Sequence, residues 1–311
     1  MSCACPTATR AVIDRAVASG SLHSSHLRRI GALTTSSIGF GAYRVGSSAH
    51  FEAMQAALSS GVINLVETST HYGTRYPGES EEMIGACLRA LENSGRRKRD
   101  EIVVVTKIGH ITVPREHLEQ GTSDDYEKTL GYKNIVRDRS AGSTQNTKQR
   151  HTAAGAVGDM QVEERTQGSD DIDNALQQIN TASLTPLQKT WHCLEPDFIL
   201  DEYAASKMRL GTAPDILFLH NPEFFLSQAL IAGVPLGEAW REMEQRLETA
   251  FATLEALKAA GEIAGFGVSG NFLSCYHSVS GRPNSYEALS LQSCLGAAVD
   301  AMARCYSSCF W

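Results

Sequence analysis

The sequence predicts an α/β chain of the (β/α)8 TIM-barrel type, incomplete at about six βα units and interrupted by a largely disordered insertion. Three observations carry that expectation. Short apolar runs rich in Val and Ile, at Ile63–Glu67, Ile102–Lys107 and within DILFLHNPE, are bounded by turn or polar residues and read as buried parallel strands. Each run delivers an ionisable side chain at its C-terminal end, Glu67, Lys107 or His220, and Tyr72 follows the first by five residues. Helical segments lie between the runs, and in a barrel of this kind the strand C-termini form the catalytic face.

Composition bounds the rest. With 311 residues, 42% hydrophobic and 20% charged, the chain is long enough for one large barrel or two smaller domains. No run approaches the length of a membrane span, so no membrane partner is expected. A net charge of -7 argues against a general nucleic-acid binder, which would carry a basic stripe. A small molecule is the expected partner, and the oligomeric state is left open. The eight cysteines, from Cys3 to Cys309, form no CxxC pair and follow no secretory signal, so they read as reduced thiols in a cytoplasmic setting. No metal site is expected, because the Cys3/Cys5 and Cys305/Cys309 spacings are unlike those of zinc modules.

Taken in order, residues 1–28 read as an N-terminal extension and 29–311 as a partial barrel, with the insertion at about 112–190. Met1 to His26 is Ala- and Ser-rich and reads as loosely ordered. The alternative is an organellar transit peptide, suggested by Arg10, Arg15, Arg28 and Arg29 and opposed by Asp14. RRIGALTTSSIGFG then predicts a short hairpin and a first barrel strand at Ile38–Gly41. Ser47–Ser60 spaces Phe51, Met54, Ala57 and Leu58 at helical intervals behind a serine cap, and Gly61 stops it. Glu79–Leu91 repeats the pattern through Met83, Ile84, Cys87, Leu88 and Leu91. Thr122–Asn180 is polar and aperiodic and reads as disordered, hence dispensable. Order returns by Cys193, with a helix closed by Gly211, a strand at Ile216–His220, a long helix over Pro235–Ala260, and strands at Ile263–Ser269 and Ala288–Gln292. Six strands fall two short of a closed barrel. The expectation is therefore lower stability and weaker cofactor binding than a version with two further βα units would show.

The motifs GFGAYRVG, GVINLVETSTHYG, ESEEMIG, VVVTKIG, SKMRLG, DILFLHNPE and GEIAGFGVSGNF, in that order, resemble those of the aldo-keto reductase family. The resemblance spans Ile38–Ile111 and Cys193–Asn271, roughly half the chain. It implies a (β/α)8 barrel that moves a hydride between NADP(H) and an aldehyde, ketone or sugar carbonyl, or the corresponding alcohol. It implies that Tyr72, Lys107 and His220 are the catalytic tyrosine, lysine and histidine, and that Glu67 stands where the family has aspartate. For the nicotinamide amide it implies Ser269, Asn271, displaced by one through Gly270, and Gln292. The family's seventh-strand stacking residue and its 2′-phosphate clamp have no counterpart here.

The chemistry of these residue types agrees with that assignment. A free tyrosine, with a pKa of about 10, donates protons poorly at neutral pH, and a nearby cation lowers that value. Lys107 is expected to be the cation, Glu67 to aim it, and His220 to hydrogen-bond the oxygen where charge develops. The alternative is a non-catalytic relative with a regulatory or interaction role.

Overall fold

The structure is a computed structural model that describes residues 3–112, 136–137 and 190–270. A hairpin of β1 (Leu27–Ile30) and β2 (Leu33–Ser36) precedes β3 (Phe40–Gly41), α2 (Ser48–Ser59), β4 (Leu65–Glu67), α3 (Glu79–Asn93) and β5 (Val103–Ile108). After β6 (His110–Thr112), β7 (Val136–Arg137) and β8 (Thr190–His192) come α4 (Pro196–Leu210), β9 (Ile216–His220), α5 (Glu223–Ile231), α6 (Leu236–Ala259) and β10 (Gly265–Ser269). Strands β3, β4, β5, β9 and β10 form one parallel sheet whose spatial order is their sequence order. Consecutive parallel neighbours joined through helices are the winding of a barrel rather than of a doubly wound sheet. The expected sixth strand, Ala288–Gln292, lies outside the described residues, as does nearly all of Thr122–Asn180.

Strand alternation separates the packing face from the chemical one. On β5, Val104 packs with α2 and α3 side chains such as Met54, Leu58, Ile84 and Leu88. Thr106, on the same side, donates to Glu81 of α3 at 2.6 Å. Val103, Val105 and Lys107 therefore face the other way, where Val103 and Val105 cluster with Ile216, Leu65 and Phe218. Along β9, Leu217 and Leu219 join the core of α4 and α6. Ile216, Phe218 and His220 share the inner face. On β10, Phe266 and Val268 pack outward in the same way, which leaves Ser269 on the inner side. Glu67, Lys107, His220 and Ser269 thus stand on one face at one end.

Local signals explain the helices. Ser47 accepts from the His50 amide to cap α2, and α4 begins at Pro196 and ends on Gly211 at φ 70°. At Gly85 of α3 a Cβ would collide with the carbonyl oxygens of Arg209 and Leu210, so only glycine lets α3 and α4 cross this closely.

Three sequence expectations need correction. The first concerns Met1–His26, whose described residues, from Cys3 on, are not loosely ordered. Pro6–Ala18 forms helix α1, with Thr9, Val12, Ile13 and Ala16 buried. That i, i+3, i+4, i+7 stripe packs on β2. Second, α5 occupies EFFLSQALI, which the sequence reading left without an element. Its apolar residues surround the axis rather than line one side, so no stripe announces it. Third, the ends of the insertion are paired, since β6 and β8 run antiparallel with Ile111 opposite Trp191 and His110 opposite His192. β7, within the expected insertion, adds to β8 as a third strand. The insertion therefore leaves and returns at one place, next to the C-terminal end of β5.

Candidate active site

Lys107 is the hub of the site. Its ammonium is in contact with the Glu67 carboxylate and donates to the Thr68 carbonyl at 3.0 Å and the Tyr72 hydroxyl at 3.3 Å. Backbone register brings these groups together: Glu67 pairs with Val105 two residues before Lys107, and the Thr70 amide donates to the Lys107 carbonyl at 3.1 Å. Burial draws the lysine down to about 7. The adjoining Glu67 carboxylate opposes that shift by favouring the ammonium.

Tyr72 behaves differently from the sequence expectation. Burial, with Tyr43 adding to it, pushes its phenol up to about 12 rather than down. Desolvation outweighs the cation because Lys107 is itself buried and pays the same penalty. The resting group is a firmly protonated phenol. Tyr43 stands edge-on to it at 4.7 Å between ring centroids.

A loop fixed by Glu79 carries Tyr72. The Tyr72 carbonyl accepts from the Gly78 and Ser80 amides at 3.1 and 3.2 Å. The Glu79 carboxylate accepts from the Thr74 and Arg75 amides, both at 2.8 Å, and from the Thr74 hydroxyl at 2.9 Å. Burial raises the Glu79 pKa, but the Arg75 and Thr74 donors outweigh it, and the net shift is downward. A depressed carboxylate stabilises the fold above its unfolded value and loses that stabilisation as pH falls through the folded one. Glu79→Gln is accordingly expected to cost about 1–3 kcal/mol at neutral pH, and the gap between wild type and variant in thermal melts should narrow as pH falls below the ordinary carboxylate range.

His220 lies 5.7 Å from Tyr72 between ring centroids. Burial, together with the neighbouring His71, His110, Lys107 and His192, holds it far below the usual histidine value, so it is neutral. Its Nδ1 is 3.1 Å from the Ser69 hydroxyl. Its carbonyl accepts from His192 Nε2 at 2.7 Å. Gly109 makes room for this contact, because a Cβ there would lie 2.6 Å from the His220 carbonyl and 2.8 Å from His192 Nε2.

Sequence reasoning missed this surrounding shell. His71 stacks at 4.9 Å from both His110 and His220, and His110 is 5.2 Å from His192. Burial holds His71 and His192 at about 3, so both are uncharged. Among the described residues no cluster of His, Cys, Asp and Glu is arranged to hold a metal ion. The signal available was position: His71 adjoins Tyr72, His110 follows β5, and Ser69 lies two residues after Glu67 on the same rim. Of the nicotinamide candidates, Ser269 sits at the end of β10 directly beside His220 in register, and its carbonyl accepts from the Asn221 amide at 2.6 Å. Asn271 and Gln292 lie outside the described residues.

Residues 37–140 match the model of the Aldo/keto reductase family. No curated protein matches the chain. Solved structures similar to it include aldo-keto reductase AKR11C1 from Bacillus halodurans in its holo form, at 17% identity and a TM-score of 0.39, covering 79% of this chain and 50% of that one. Another is the glycerol dehydrogenase AKR11B4 from Gluconobacter oxydans, at 18% identity and a TM-score of 0.42, covering 80% of this chain and 49% of that one. The chain thus spans about half the length of these proteins. The family match covers the stretch that carries Glu67, Tyr72 and Lys107, about a third of the chain.

Proposed function

We propose that the chain is an NADP(H)-dependent oxidoreductase that moves a hydride between a nicotinamide and the carbonyl carbon of an aldehyde, ketone or sugar, or works in reverse on the alcohol. The observation that carries this reading is the hydrogen bond from the Lys107 ammonium to the Tyr72 phenol, made on the same strand-end rim as His220. The Ser269 hydroxyl, on the inner face of that rim, suits a carboxamide, and Asn271 and Gln292 complete the proposed nicotinamide set. The chemistry a bound nicotinamide supplies is the hydride itself. Tyr72 gives its phenolic proton to the substrate oxygen, and Lys107 stabilises the phenolate left behind. Glu67 keeps Lys107 charged and aimed. His220 donates to the same oxygen as negative charge gathers there.

The test is titration of the purified chain with NADPH, followed by nucleotide fluorescence, and then NADPH consumption in the presence of a small aldehyde. Fluorescence change and turnover together support the reading. Binding without turnover, or neither, favours the non-catalytic alternative. A pH profile then checks the ion pair. Glu67→Gln removes the carboxylate that sustains the ammonium, so the alkaline fall in kcat for reduction should move down by about one pH unit. An unmoved limb would dissociate Glu67 from Lys107.

A further inference from the structure

We propose that Ser69 and His71 are positioning residues that hold His220 in the tautomer bearing its proton on Nε2. The inference rests on the reading above, in which His220 donates to a substrate oxygen. It starts from a proton inventory. The fully buried Ser69 hydroxyl lies 3.0 Å from His71 Nδ1, 3.1 Å from His220 Nδ1 and 3.1 Å from the Lys107 carbonyl. It has one proton to give and two lone pairs to offer.

The Lys107 carbonyl accepts from the Thr70 amide and has a second lone pair within reach of the Ser69 hydroxyl, so it competes with the two imidazoles for the single hydroxyl proton. Two neutral rings approach the same oxygen through Nδ1. Ser69 can donate to at most one of them, so at least one must donate to Ser69; were the hydroxyl proton spent on the Lys107 carbonyl, both would. At least one ring therefore carries its proton on Nδ1. If that ring were His220, its Nε2 would present a lone pair to a substrate oxygen and repel it. The arrangement that serves the reaction runs His71 Nδ1–H to Ser69 Oγ, Ser69 O–H to His220 Nδ1, and His220 Nε2–H to the substrate.

The backbone end of the same residue is held independently. A carbonyl can only accept, so His192 must donate its Nε2 proton to the His220 carbonyl. Backbone and ring of His220 are thereby held by different neighbours, and among the described residues the Ser69 bond is the one that selects the tautomer.

The experiment is long-range proton–nitrogen correlation NMR on the full chain labelled with 15N-histidine, at neutral pH, with His220→Gln identifying the signal. Wild type should show His220 with a protonated Nε2 and an unprotonated Nδ1. Ser69→Ala should populate the other tautomer, and Ser69→Thr, which keeps the hydroxyl, should restore the first. In parallel, Ser69→Ala should lower kcat for carbonyl reduction roughly tenfold to a hundredfold with KM little changed, less than the roughly 10²–10³-fold of losing an oxyanion donor outright. A wild-type His220 protonated on Nδ1, or a tautomer indifferent to Ser69→Ala, would overturn the proposal. The tautomer shift without any NADPH-dependent turnover in wild type would support the positioning and sink the reductase reading instead.

Discussion

Tyr72→Phe is expected to abolish carbonyl reduction while leaving the fold intact, with kcat falling by roughly 10²–10⁴, the range a positioned proton donor supplies. The substitution removes a single oxygen. That oxygen accepts from Lys107 at 3.3 Å, and the ring keeps its place between Tyr43 and His71, at 4.7 and 4.8 Å between centroids. Unchanged circular dichroism and melting temperature, beside lost turnover, is the result that assigns Tyr72 the acid role. The downhill direction of transfer fits a phenol held at about 12, because the alkoxide formed by hydride arrival is more basic still. A variant with most of its turnover would pass the acid role to another group.

The second large effect lies at the opposite end of the strands. Arg99 and Asp215 form an ion pair at 3.0 Å with neither side chain exposed. Arg99 also donates to the carbonyls of Ile102 at 2.6 Å and Ala213 at 2.9 Å. The second arm of the pair is equally engaged, with Asp215 accepting from the Val104 amide at 2.7 Å and the Ala4 amide at 2.6 Å. Burial raises the Asp215 pKa, and Arg99 and the amides oppose it. Removing one partner strands a buried charge, so Arg99→Met should cost about 3–5 kcal/mol, a large fraction of a typical domain's stability. Pairing it with Asp215→Leu should recover part of the loss. Denaturant melts of the two single variants and the double one check this, and a loss below about 1 kcal/mol in Arg99→Met would mean the pair is screened by water.

The parallel strands were legible because their text is continuous Val, Ile and Leu ending on a charge. Ile216–His220 matches its expected bounds, and Val103–Ile108 and Leu65–Glu67 differ from theirs by one or two residues. The convergence of Glu67, Tyr72 and Lys107 was legible for the same reason, since a shared strand end is a shared location. What composition concealed was α1, whose Ala-rich text reads as weakly structured until Val12 and Ile13 are seen to face β2. The histidine shell was hidden for another reason. His71, His110, His192 and His220 come from segments up to 149 residues apart, and only the pairing of β6 with β8 brings His192 beside His110. The upward shift of Tyr72 could not be read from residue type either, because it depends on how much water the folded site excludes.

The Ala4 amide meets the Asp215 side chain across 211 residues of chain. On a ribosome the segment around Ala4 must therefore wait for one made later. At synthesis rates of roughly 5–20 residues per second that interval is on the order of 10–40 s. Helix α1 can coil during the wait and its buried face, Val12, Ile13 and Ala16, has its hairpin neighbour early, yet Ala4, just before the helix, has its Asp215 anchor late. A nascent chain halted before residue 215 should thus leave the segment around Ala4 open to proteases, and protection there should appear only once β9 has emerged to receive it.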